Sequence, residues 1–236
     1  MLAALAPERG VGSDSYAPLI AIWNALKTSP AQLLSWYADR HARMEREGKE
    51  AVYREVLAAF NRSPNGADFV FLSRACYGGV VRFRRDGQMS TPCGAHRPIS
   101  PAAFAQRIRE WAPRVASSEF VCCDFAETLE RAREGDLVYC DPPYSFSQSI
   151  VYGAQGFQLS HLVQAVARCK ERGVFVALSL DGTKKSGGQR FDHGFPEGLF
   201  EREVSVNVGR SMLRRFQKEG ESLEDELVTD KLLLTY

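Results

Sequence analysis

The stretch Leu137-Val138-Tyr139-Cys140-Asp141-Pro142-Pro143-Tyr144 decides the fold. Four apolar, β-prone residues running into an acid and two prolines read as a buried strand that stops abruptly. Proline cannot donate to a sheet ladder, and it restricts the residue before it. The carboxylate of Asp141 therefore stands at a strand's C-terminal end. Ligands of open α/β sheets bind there, so Asp141 and Tyr144 are expected to face a pocket. A proline pair alone does no more than end a strand; the whole tetrad after a hydrophobic run asks for chemistry.

The chemistry that such a tetrad suits is the methylation of a planar amino group. The lone pair of an exocyclic NH2 is delocalised into the ring or amide, which makes it a poor nucleophile. A carboxylate such as Asp141 and the adjacent carbonyl of Pro142 can accept both N–H bonds and aim the lone pair at a donor, so the gain comes from placement and electrostatics. Pro143 completes the rigid turn, and Tyr144 offers an aromatic face for a flipped base.

Upstream, Val80 to Arg84 and Gln88 to Pro92 are short β-prone runs joined through Arg85-Asp86-Gly87. Asp-Gly between such runs signals a hairpin, because the turn needs a positive φ. Arg82, Arg84 and Arg85 then crowd one ribbon, which suits a phosphate backbone or a DNA groove. A solvated basic turn would have the same look.

The segment Phe71 to Gly94, the tetrad and the later Gly156-Phe157 together resemble the Dam-type DNA adenine-N6 methyltransferases of the D12 class, alpha group. Those enzymes carry Asn-Arg-x-Gly-x-Asn-Gly-x-x-Arg and then a hairpin ending in Pro-Phe-Gly. Arg74, Gly79, Arg82, Gly87, Pro92 and Gly94 match; Ser73, Cys76, Gly78 and Cys93 depart, which leaves sequence specificity open. The resemblance implies a Rossmann-like, S-adenosylmethionine-dependent α/β sheet of the seven-strand type. Residues 1–29 and 98–236 would form the catalytic core, and residues 30–97 an inserted helical target-recognition subdomain with the hairpin. It implies a site-specific DNA adenine-N6 methyltransferase acting on a flipped adenine in duplex DNA. S-adenosylmethionine would be held by Asp14 through its ribose, by Asp124 and Phe125 at its adenine, and bordered by Asp141. DNA would be contacted by Arg74, Tyr77, Arg82, Arg84, Arg85, Pro92, Arg210 and Arg214. The chain is expected to act as a monomer, and a companion restriction endonuclease is a partner the family allows.

Family members begin with a strand and a Phe-x-Gly-x-Gly loop that cradles the cofactor. The present sequence opens inside the helix that follows, with Met1 to Ala6, so Met1 is expected to be internal to a longer coding sequence. Lys185-Ser186-Gly187-Gly188 does not replace the loop and reads as a loop of its own. Two alternatives remain: an RNA or protein amide N-methyltransferase, which would place its tetrad sooner after the cofactor's acid, and a catalytically degenerate DNA-binding relative.

The rest of the sequence bounds this reading. The 236 residues, 44% hydrophobic, can bury a full core, and the net charge of +1 leaves basic residues to act in clusters. Such clusters lie at 82–85, 107–114 and 210–218. The opening apolar run is too short for a membrane span or signal peptide, so a cytoplasmic protein is expected. Six cysteines without paired CxxC spacing read as buried thiols, neither zinc ligands nor disulfides, and four scattered histidines suggest no metal site. Helices are expected over 19–26, 30–47, 49–60, 69–77, 101–115 and 160–172, and strands over 119–123, 137–140 and 174–178. An antiparallel pair over 200–208 and 226–236 would close the sheet. Asp124 can equally cap a helix, Ser145 to Gln155 reads as a closing loop, and Ser179 ends its strand near the pocket.

Overall fold

A computed structural model describes residues 1–143, 157–181, 195–210 and 227–236. Tyr144, the loop 145–155, Gly156, the Lys185–Gly188 segment and the basic residues 211–218, Arg214 among them, lie outside the described residues. The described chain falls into two compact units that part between Phe125 and Ala126.

The first unit opens with a short helix α1 (Leu2–Leu5) and strand β1 (Gly10–Asp14). Four helices follow: α2 (Ala17–Thr28), α3 (Pro30–Glu47), α4 (Lys49–Arg62) and α5 (Gly66–Ala75). After the hairpin come α6 (Pro101–Trp111) and β2 (Ser118–Cys122), and β1 and β2 pair in parallel with Asp14 opposite Cys122. Prolines at the first turns of α2, α3 and α6 start these helices where a missing N–H costs nothing. One apolar core runs from Ala3 to Phe120, with Leu33, Tyr37, Phe60, Phe71 and Val115 fully enclosed.

Several expectations are adjusted by packing. α2 does not carry the single stripe Leu19, Ile22, Trp23, Leu26: Ile20 and Ala25 are buried as well, because α2 packs on α5, α3 and β2 together. α5 starts and ends earlier than 69–77. Asn65 caps it at the Asp68 N–H, 2.8 Å away, and Cys76 turns to extended backbone. The 101–115 helix breaks at Ala112 into a short 3-10 turn over Pro113–Val115, since Pro113 cannot continue the α-helical ladder.

Helix α7 (Phe125–Arg131) starts at the last residue of the first unit; in the second unit it leads to β3 (Leu137–Cys140), α8 (Leu159–Glu171) leads to β4 (Phe175–Asp181), and β5 (Arg202–Arg210) pairs with β6 (Leu227–Leu234). The sheet order is β3-β4-β6-β5, with β3 parallel to β4 and the other pairings antiparallel. α8 turns Leu162, Ala165, Val166 and Cys169 inward, and Val176, Leu178 and Leu180 of β4 are buried. The tetrad's strand is less enclosed than its composition suggests. β3 sits at one end of this sheet, and Leu137 and Tyr139 on one face are 55% and 39% exposed. β4 also runs on past Leu178, because β6 continues to pair with it through Leu180–Lys231 and Asp181–Asp230, so Ser179 lies inside the strand.

The six cysteines are free thiols. Cys76 and Cys169 are buried as expected, whereas Cys93, Cys123 and Cys140 are half-buried and Cys122 is exposed, since it ends β2. Among the described residues no three His, Cys, Asp or Glu side chains gather in a way that would hold a metal ion, and no helix is long and apolar enough to cross a membrane.

Candidate active site and nucleic-acid interface

Each unit presents carboxylates at the C-terminal ends of parallel strands, which is where an α/β sheet binds ligands. In the first unit Asp14 ends β1 and Asp124 follows β2, its neighbour. Asp14 is half-buried and accepts the Tyr16 N–H through Oδ1 at 2.7 Å; among the described residues its second oxygen takes no hydrogen bond. Burial raises its carboxyl above the ordinary range, and the Tyr16 N–H pulls back in part. A half-buried carboxylate with an open acceptor at such an edge fits the hydroxyls of a nucleoside. Asp124 is exposed, and Phe125, half-buried, opens α7 directly after it.

In the second unit Asp141 follows β3 and is exposed, whereas Pro142 is buried and Pro143 half-buried. The parallel register of Cys140 with Leu178 sets Asp141 level with Ser179 on one face of the sheet. Burial of its surroundings raises the Asp141 carboxyl above the usual value, and the like charge of Asp230 on β6 adds to the effect. Among the described residues no donor reaches it. Tyr139, on the same face, bonds Ser179 and feels both carboxylates, although burial is the main reason that its phenol is raised. Asp230 and Tyr139 escaped the sequence reading. An acid in the alternating run Leu227-Val228-Thr229-Asp230 was the available signal, but only the strand register shows what it faces.

The hairpin forms as expected, with Arg84 N–H donating to Gln88 at 2.8 Å and Gly87 at a φ of 81°. Phe83 and Met89 face each other and are buried, while Arg82, Arg84 and Arg85 are exposed. The ribbon is anchored by aromatic contact, with Phe83 5.2 Å from Tyr16 at an edge-on angle. Its ladder is short because side chains replace backbone partners. Thr91 Oγ1 accepts the Arg82 N–H at 2.7 Å, and Asn61 both accepts the Met89 N–H at 2.9 Å and donates to its carbonyl at 3.0 Å.

Helix α4 grips the return limb along one stripe. Lys49 donates to the carbonyls of Gly94, Ala95 and His96, Tyr53 to Thr91 at 2.7 Å, and Asn61 to Met89. Twelve residues of helix rise about 18 Å, and five residues of strand span about 17 Å, so the two run in step. The limb closes tightly at Gly94, where an added Cβ would lie 2.6 Å from the Cys76 carbonyl oxygen. Gly94→Ala is therefore expected to destabilise the first unit by about 1–3 kcal/mol, read as a lower urea midpoint; an unchanged midpoint would show that the neck relaxes freely.

Tyr77, Pro92 and Arg74, also predicted to contact DNA, lie in the same unit as the ribbon. Tyr77 is 40% exposed, and its N–H donates to the carbonyl of Pro92, itself exposed, at 2.8 Å. Arg74 ends α5 with its guanidinium 4.9 Å from the centre of the Phe104 ring. Burial, with Arg107 nearby, lowers its affinity for its proton. Arg210 ends β5 in the second unit, so these contacts are not all brought together in one unit.

The chain belongs to the D12 class N6 adenine-specific DNA methyltransferase family, whose model matches residues 1–185. It is 27% identical over 188 residues to the DNA adenine methylase of Vibrio cholerae, covering 73% of this chain and 65% of that protein. It is 28% identical over 199 residues to the retron Ec67 DNA adenine methylase of Escherichia coli, covering 80% and 68%. Similarity to the DNA N-6-adenine-methyltransferase of Escherichia phage P1 is 28% over 203 residues, 80% of this chain and 26% of that one. The chain thus spans a little under two thirds of the Vibrio relative it matches.

Proposed function

We propose that this chain is the catalytic and DNA-reading part of an adenine-N6 methyltransferase that uses S-adenosylmethionine and acts on duplex DNA with the target base flipped out. The observation that carries the reading is Asp141, a carboxylate at the end of a parallel strand, locked by two prolines and met by no donor among the described residues. Family membership favours adenine in DNA over an RNA or protein amide. The fold belongs to the same proposal: a Rossmann-like sheet, supported by the parallel pairs β1–β2 and β3–β4, with residues 30–97 inserted for target recognition.

S-adenosylmethionine, when bound, supplies an electrophilic methyl group. Asp14 would hold ribose hydroxyls, and Asp124 and Phe125 the adenine. Asp141 accepts one N–H of the target amino group, and the carbonyl of Pro142 accepts the other. This turns the nitrogen lone pair outward without a strong general base, because the nitrogen becomes acidic only once alkylated. Tyr144 would stack on the flipped base, which is worth roughly 1–3 kcal/mol.

The test is methyl transfer from labelled S-adenosylmethionine to mixed-sequence duplex DNA, followed by nucleoside analysis. Label in N6-methyladenine is the expected result. Label in another nucleoside or in RNA alone would overturn the assignment, and retained DNA binding without cofactor binding would favour a non-catalytic relative. The hairpin has its own test: Arg82→Ala with Arg84→Ala should flatten the slope of log affinity against log salt by roughly 2, at about 0.9 per lost phosphate contact. An unchanged slope would mean that the ribbon points away from DNA.

A further inference from the structure

Two of the positions that depart from the family's recognition segment, Cys76 and Cys93, stand directly opposite each other at the neck of the hairpin. The bonds on either side fix the kind of pair. Tyr77 N–H donates to Pro92 and Gly94 N–H to Ala75, both at 2.8 Å, so the cysteines themselves exchange no backbone bond. Such pairs bring their Cα atoms to about 4.5 Å with side chains close, inside the span that a disulfide bridges. The Cys93 thiol leans across the neck toward the Ala75 carbonyl, 4.0 Å away. Cys76 is 4% exposed, whereas Cys93 is half-buried and reachable. Tyr53, whose hydroxyl holds Thr91, is electrostatically coupled to both thiols.

We infer that Cys76 and Cys93 are a dithiol site that a small-molecule disulfide converts to a cross-strand disulfide, tying the neck of the basic ribbon. The Cys93 thiolate attacks one sulfur of the external disulfide and expels one thiolate. The Cys76 thiolate then attacks Cys93 Sγ in the mixed disulfide and expels the second. Two protein thiols are oxidised and one external disulfide is reduced, and the two protons lost by the cysteines end on the two expelled thiolates, giving two small-molecule thiols. Burial raises both thiols, Cys76 to about 11, while Lys49 pulls Cys93 back in part, so Cys93 is the entry point and the exchange is faster in mild alkali. The inference concerns the ribbon itself and stands whether or not methyl transfer is found.

The test is treatment of the folded chain with glutathione disulfide at pH 8.5, followed by mapping of non-reduced peptides. The expected cross-link joins 76 and 93 and is reversed by dithiothreitol, whatever adduct the exposed Cys122 takes up. In Cys76→Ser the reaction should stop as a glutathione adduct on Cys93, and in Cys93→Ser position 76 should stay unmodified. A stable adduct on Cys93 in the unaltered chain would overturn the inference, and so would a cross-link formed only in urea. Circular dichroism of both variants checks that they fold; where Cys76→Ser does not, Cys76→Ala carries the same test.

Discussion

Asp141→Ala is expected to lower methyl transfer by about 10²–10³-fold while DNA affinity stays within a few-fold, because the acceptor that orients the amino group is lost and the DNA-contacting surface is not. Asp141→Asn should fall nearly as far, since its amide can offer a donor where an acceptor is needed. Rates measured under single-turnover conditions beside filter binding separate the two effects. Normal turnover in Asp141→Ala would remove this residue from the mechanism. The pH dependence follows from its surroundings. The packed surroundings and the like charge of Asp230 raise the Asp141 carboxyl above its ordinary 3.8, so activity should fall as pH drops through that raised value. Asp230→Asn should move this acid limb to lower pH. For stability the sign is opposite to that of a salt-bridged acid. Asp14 and Asp141 both titrate higher in the folded chain than unfolded, so their ionisation opposes folding at neutral pH, and the opposition disappears on acidification.

Asp68→Ala should cost about 3 kcal/mol of folding stability, because it leaves a charge of the interior unpaired. Asp68 is mostly buried and accepts from Arg40 Nε at 2.8 Å and Nη2 at 2.6 Å, which ties α5 to α3. Its other oxygen accepts from the Asn65 amide at 2.8 Å, and its N–H completes the helix cap. Removing the carboxylate strands a guanidinium whose other bond is to the Trp36 carbonyl. The double variant Arg40→Met with Asp68→Ala should lose less than the sum of the two single changes, which a thermodynamic cycle from urea unfolding would measure. Additive losses would mean that the pair is solvated and contributes little.

Legibility varied with how local the cause was. The bounds of α3 agree with the sequence because Pro30 starts it and Gly48 ends it, both local devices. β3 and the place of Asp141 were equally plain, since Pro142 ends the strand on its own. The hairpin turn followed from Asp86-Gly87. The polar residues that hold the hairpin did not, because Lys49, Tyr53 and Asn61 on α4 look like an ordinary solvated face until the strand they grip is in place. Asp230 was hidden for a similar reason: its relation to Asp141 runs through two strand pairings and cannot be found by spacing.

The grip of α4 on the return limb also bears on how the ribbon can change. Its course is set by Lys49, Tyr53, Asn61 and Thr91 through backbone groups, and by the buried pair Phe83 and Met89. The outward side chains of Arg84, Arg85 and Gln88 have little part in keeping that course. A protein arranged in this way keeps its vocabulary separate from its grammar: new words can be tried at the tip while the frame that presents them stays folded.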